Sequence, residues 1–161
     1  MQNKNSVNFD DRMVNKIMTW FKPYTLSDLE GFRNGNMGVH VGIEFTEVGD
    51  NFLCAKMPVD YRTVQPFGRL HGGASCVLSE TLGSVAAWMC IDPDKQAAVG
   101  LEINANHIST AWDGKGDVIG RCEAFHIGRS THVWQTDITH AETGKRVCIS
   151  RLTVAIIDKP S

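Results

Sequence analysis

The chain has 161 residues, 42% hydrophobic and 21% charged, with a formal net charge of −2 and a pI near 6.3. That length can bury one core, and the charge is too balanced to draw nucleic acid or an anionic membrane. No apolar run approaches the roughly 20 residues that span a bilayer. The polar start MQNKNSVNFDDRM lacks a signal peptide's apolar stretch, so a cytoplasmic location is expected. The five cysteines (Cys54, Cys76, Cys90, Cys122, Cys148) are scattered and odd in number, and no C-x-x-C occurs. They read as small buried hydrophobes rather than disulfides. With six dispersed histidines, no metal site is expected.

Taken in chain order, residues 9–22 place Phe9, Met13, Ile17 and Trp20 three or four apart, which predicts an amphipathic helix. TLSDLEGFR (25–33) follows Pro23 and has Thr25 or Ser27 as a cap, so it predicts a short second helix. Residues 39–48 alternate Val39, Val41, Ile43 and Phe45 with other residues, the period of a strand. Gly49-Asp50-Asn51 turns the chain into a second strand, 52–59. Four more strands are expected at 97–108, 117–127, 131–140 and 146–157, with turn chemistry at Asp113-Gly114 and 142–145. Between the second and third strands lies one long helix. Consecutive strands on short connections argue for an antiparallel sheet, and so for an α+β domain curled around one central helix.

That helix is unusual. From Leu70 through Ile91 there is no Lys or Arg, and Glu80 is the single carboxylate. At about 100° per residue, Val77, Leu78, Leu82, Val85, Trp88 and Met89 form one broad apolar face. The opposite face carries Gly73, Cys76, Ser79, Glu80, Gly83, Ser84 and Ala87, where a solvated helix would carry charges. Both faces are therefore expected to be covered, one by the sheet and the other by a partner subunit or ligand. A carboxylate in such a setting is costly unless paired or chemically employed. No cation lies within a helical turn or two, which favours a functional Glu80 over a merely tolerated one. Upstream, His71-Gly72-Gly73 opens the helix. Glycine lets a ligand approach the unpaired N–H groups and positive dipole end of a first turn, a setting suited to an oxygen that gains negative charge. A carbonyl held at the helix start and a carboxylate about two turns on could act on one substrate.

The combination Q-P-F-G-x-L-H-G-G-A-S with L-S-E-T-L-G-S resembles the hotdog-fold acyl-CoA thioesterases, in the 4-hydroxybenzoyl-CoA thioesterase branch that carries a glutamate on the helix. Within that branch it is similar to 1,4-dihydroxy-2-naphthoyl-CoA thioesterases, a menaquinone-biosynthesis group, and to the proofreading thioesterases of enterobactin synthesis. The resemblance runs from about Gly35 to Ile157 and includes M-P-V-D (57–60), G-L-E-I-N-A-N-H (100–107) and S-R-L-T (150–153). It implies a hotdog domain over 35–161 behind an N-terminal helical extension, 1–34. It also implies an acyl-CoA substrate, no cofactor, and a homodimer assembling into a homotetramer with active sites at the dimer interface.

By the same resemblance, Glu80 is the catalytic carboxylate, as nucleophile or general base. Gly72 supplies the N–H that polarises the thioester carbonyl, with His71 beside it. Gln65 orients the acyl group or water, and Ser84 holds water or the carboxylate. The segments Asn106-His107-Ile108-Ser109 and Gly128-Arg129-Ser130-Thr131 lie along CoA, with Arg129 and Ser130 as phosphate or pantetheine contacts. Relatives often carry a basic residue just after His107; here Ile108-Ser109-Thr110 stands instead. Phe67, Val64, Met89 and Trp88 are candidates for an apolar acyl pocket, plain core packing being the alternative for each.

A thioester is reactive enough to need no metal: a positioned carboxylate and an N–H donor suffice. Two other classes remain open. A hotdog hydratase would need a histidine and acid arranged for proton transfer at carbon. A non-catalytic acyl-CoA-binding protein would need no carboxylate at 80. Ser75 in G-G-A-S-C is not a nucleophile elbow, and 114–120 is not a dinucleotide fingerprint.

Overall fold

Six antiparallel strands and one long helix account for most of the computed structural model, which describes residues 19–160. The strands are β1 (Glu44–Val48), β2 (Phe52–Pro58), β3 (Gln96–His107), β4 (Asp117–Ile127), β5 (Thr131–His140) and β6 (Arg146–Asp158), in the sheet order β1-β2-β4-β5-β6-β3. The short connections keep β4, β5 and β6 consecutive. The connection from β2 to β3 carries the chain from near one edge of the sheet to the other, and it contains the long helix α2 (Gly72–Met89). A short helix α1 (Met37–His40) and a 3-10 helix (Leu26–Arg33) precede β1.

α2 starts where the His71 backbone is still extended and its Nδ1 accepts from the Gly73 N–H at 2.8 Å. It stops at Cys90, shortly before Pro93. It packs on all strands from β2 to β6, which bend around it. Leu78, Leu82 and Met89 on the helix and Trp134, Ile138 and Leu152 on the sheet are at most 2% exposed. Each such side chain contributes about 1.5–3 kcal/mol of hydrophobic stabilisation. Trp20, Tyr24 and Leu29 join the same core. Trp20 stacks on Trp134 with ring centroids 6.1 Å apart and donates through Nε1 to the Gly49 carbonyl.

Three expectations need correction or limits. The helix expected over 9–22 falls largely outside the described residues, and its last four residues form bends. The strand expected over 39–48 exists only from Glu44. Ahead of it, Asn36 accepts from the Val39 N–H and caps the one-turn α1, which Gly42 closes at φ 77°. The alternating β-branched residues imitated a strand that the cap and the glycine override. The third correction concerns the faces of α2. Ser79, Gly83 and Ala87 lie against the sheet, fully buried, while Val77 and Trp88 are only half-buried on the other side. Small residues serve the sheet side because a Cβ at Gly83 would fall 2.7 Å from Leu152 Cδ2 and 3.4 Å from Trp134 Cβ.

Candidate active site

Glu80 sits in the middle of α2 on the side away from the core, half-buried. The Ser84 hydroxyl, one turn on, donates to its Oε1 at 3.2 Å. On the other flank is Gly100 of β3, where any Cβ would overlap the Glu80 carboxylate. Next to Gly100 the β3–β6 register shifts at a bulge. Glycine in a strand interior is the signal of such a close approach, and it identifies a site residue that the sequence reading passed over. No cation pairs with Glu80 among the described residues. Its charge is felt one turn back, where burial first, and then Glu80, push the Cys76 thiol above its ordinary range.

Two cavities open beside the carboxylate. The larger, about 380 Å³, is bounded by Ser84, Val85 and Trp88 on α2, Phe32 of the 3-10 helix, Met37 of α1 and Ala98 of β3. Phe32 meets Trp88 edge-on at 4.9 Å, and Tyr24 tilts against the same indole at 5.4 Å. Phe32 and Tyr24 lie 56 and 64 residues upstream of Trp88, a distance over which no local pattern points. The smaller cavity, about 320 Å³, lies toward the start of α2, against Cys76, Val77 and Ile103. Of the expected acyl-pocket residues, Trp88 lines the larger cavity. Val64 packs on the core, Met89 is fully buried and lines neither of these two cavities, and Phe67 stands 81% exposed on the loop before α2.

The start of α2 gathers a second group. The Gly72 N–H has no partner among the described residues. A Cβ at Gly72 would fall 2.7 Å from Nε2 of His107, so the end of β3 lies over the helix start. His71 spends Nδ1 on its capping bond, which leaves Nε2 of this exposed residue without a partner among the described residues. Gln65 closes the preceding turn: its Oε1 accepts from the Phe67 N–H at 2.5 Å, while the side-chain NH2 stays uncommitted among the described residues. Gly72 lies eight residues from Glu80, about 12 Å along the helix axis, and the carboxylate is tied toward Ser84, away from Gly72. One chain therefore does not bring the two to one carbonyl.

The remaining expected residues lie apart. Ser109 donates to the Arg146 carbonyl at 2.6 Å. Gly128, Arg129 and Ser130 form the β4–β5 turn, and Arg129 and Ser130 border a separate cavity with Gln96 and Asp158, at the far end of β3 from His107. Among the described residues, no group of His, Cys, Asp and Glu could hold a metal ion, and no helix is long and apolar enough to cross a membrane.

The sequence model of the thioesterase superfamily matches residues 67–147, the segment that carries Gly72, Glu80 and Ser84. The 1,4-dihydroxy-2-naphthoyl-CoA hydrolase of Escherichia coli is 49% identical over 140 residues, 87% of this chain and all of that protein. The chain belongs to the thioesterase superfamily. This hotdog thioesterase is also 45% identical over 140 residues to the proofreading thioesterase EntH of Cronobacter sakazakii, covering 87% of this chain and 99% of that one. Its fold superposes on a solved thioesterase of Pseudomonas aeruginosa with a TM-score of 0.83 at 42% identity, covering 88% and 99% of the two chains. The α+β reading, with an antiparallel sheet around one long helix, is that hotdog fold. The protein is a thioester hydrolase.

Proposed function

We propose that this hotdog thioesterase hydrolyses aromatic acyl-CoA esters of the hydroxynaphthoyl or hydroxybenzoyl kind, and medium-chain acyl-CoA esters beside them. The observation that carries the reading is a lone carboxylate, braced by Ser84, on the wall of an apolar cavity that Phe32 and Trp88 make aromatic. An acyl group in that cavity brings its carbonyl carbon to Glu80. The carboxylate then either attacks, expelling the CoA thiolate and leaving a mixed anhydride for water to open, or takes a proton from the water that attacks. Both routes consume one water and release one carboxylic acid and one thiol.

The oxyanion needs an N–H donor about 3 Å away. Carboxylate, carbonyl and donor together span about 7 Å, less than the separation of Glu80 and Gly72 along one helix. The reading is therefore a dimer in which Gly72 of a second copy faces Glu80. β3 ends the sheet with its outer edge unpaired among the described residues, carries exposed Val99 and Leu101, and passes Glu80 at Gly100. Pairing of two such edges would bring a second copy to the carboxylate, and dimers would associate further into a tetramer. In this arrangement Gln65 and His71 would present their free NH2 and Nε2 to the acyl group or water. His107, Ser109, Arg129 and Ser130 would follow the CoA arm, and Phe67 would gain cover.

The test is free-thiol release from benzoyl-CoA, hydroxynaphthoyl-CoA and linear acyl-CoA esters, with Glu80→Ala and Glu80→Gln beside the wild type. The rate should fall about 10³-fold in both variants, with an unchanged thermal midpoint. Variants with wild-type rates would sink the role of Glu80. A wild type that cleaves none of these esters would sink the acyl-CoA reading itself.

A further inference from the structure

The two cavities beside Glu80 follow one another along the half-buried flank of α2, from Cys76 to Trp88, about 18 Å of helix. Three residues line both: Glu80, Thr81 and Met37. The first two are fixed to the α2 backbone. Met37 comes from α1 and stands between the cavities with 62% of its surface exposed. Its side chain is unbranched and has three rotatable bonds, the property that lets methionine fill or vacate a gap at little cost. The backbone beneath it is seated firmly. The Val41 N–H donates to the Met37 carbonyl at 3.1 Å, and the Ile43 N–H to the Gly38 carbonyl at 2.8 Å. Movement at this point therefore belongs to the side chain.

The chemistry of the smaller cavity says what could enter it. Besides the three shared residues it offers Cys76, Val77 and Ile103. A pantetheine arm carries two amides, which would lie against these walls with few hydrogen-bond partners, a costly burial. An alkyl chain loses nothing there and gains the removal of its methylenes from water.

We infer that Met37 is the residue that sets acyl length: held across the gap it confines a compact aromatic acyl group to the larger cavity, and turned aside it lets a linear acyl tail run past Glu80 into the smaller one. This rests on the acyl-CoA reading above and deepens it, because one site then serves both ring-shaped and linear acyl groups. Met37 is here a specificity residue and takes no part in the bond changes.

The readout is the ratio of kcat/KM for dodecanoyl-CoA to that for benzoyl-CoA, which cancels effects common to all CoA esters. Met37→Ala removes the barrier from the α1 side and should raise the ratio about tenfold. Cys76→Phe fills the smaller cavity from the α2 side and should lower it by a similar factor. Met37 is exposed, so its variant is expected to fold whatever happens at Cys76. A ratio unchanged in Met37→Ala overturns the inference. So does a Cys76→Phe enzyme, folded by circular dichroism, that loses both esters equally, since the smaller cavity would then hold the part common to every substrate. A wild type that cleaves neither ester removes the acyl-CoA reading itself, an outcome distinct from wild-type cleavage with an unmoved ratio.

Discussion

Two glycines clear space on the two sides of α2, and they do different work. On the sheet side, Gly83 of the helix leaves room for Leu152 and Trp134, both fully buried. On the cavity side, Gly100 of β3 leaves room for the Glu80 carboxylate. The first clearance is filled by core atoms with nowhere to go. The second is filled by the tip of a flexible side chain at the edge of a cavity. The same residue type therefore marks core packing on one face and a carboxylate at a cavity on the other, and what the missing Cβ would strike decides which.

The largest effect that breaks this pair apart is expected at Gly100. Gly100→Ala pushes the Glu80 carboxylate off its position while disturbing no core contact. A displacement of about 1 Å at a reacting group costs on the order of 10²-fold. We expect kcat/KM for an aromatic acyl-CoA to fall by about that factor, while the urea midpoint moves little. A variant that keeps wild-type turnover would show that the Glu80 position is not set by β3.

The mirror experiment is Gly83→Val. Its methyl groups meet Leu152 and the Trp134 Cβ in a closed core. Overpacking of this kind costs about 1–3 kcal/mol, whereas replacing a helical glycine returns only a few tenths of a kcal/mol when the newcomer is β-branched. The clash wins, and chemical denaturation should report a loss of about 2 kcal/mol. Activity per folded molecule should remain. A stable variant with impaired turnover would mean that the sheet side of α2 communicates with the cavity side more than the geometry implies.

This contrast also explains what could be read from the sequence. α2 was legible because its uncharged composition has few other homes, and β4 and β5 were legible to the residue because turn signals bracket alternating runs. Glu80 was legible by isolation: the only charge between Leu70 and Ile91 stands on a cavity wall. The orientation of α2 was not legible. Serine, glycine and alanine serve a tight sheet contact and a substrate cavity equally well, so the expected boundary between the faces was rotated from the actual one. The roof over Trp88 was hidden for a different reason. The short helix over 25–33 was expected and stands as the 3-10 helix Leu26–Arg33, but nothing local says that its Phe32 packs on Trp88, and Met37 comes from a single turn of α-helix, too short to carry a periodic signature. Gly100 gave a usable sign, a glycine inside an otherwise regular strand, but what it approached could be known only in three dimensions.

The smallest expected effect concerns stability alone, and it arises on the sheet. His132 of β5 is 2% exposed, its ring edge-on to Trp134 at 6.3 Å, and its Nδ1 finds no hydrogen-bond partner among the described residues. Burial, with a smaller contribution from the nearby charge of His126, holds its pKa below the ordinary 6.5, against a hydrogen bond to Gly128 that works the other way. Below pH 6.5 the unfolded chain therefore binds a proton that the folded chain refuses. Stability is full above that pH and declines as the pH falls toward the folded-state pKa, with a slope of at most about 1.4 kcal/mol per pH unit for one proton. Replacing the imidazole by a side chain that does not titrate, His132→Gln, should lower stability at every pH yet flatten its decline below pH 6.5. Urea midpoints at pH 7.5, 6.5 and 5.5 for the two proteins separate the contributions. If both decline with the same slope, the protons that destabilise the fold bind elsewhere, and His132 is a packing residue whose imidazole has no part in the acid response.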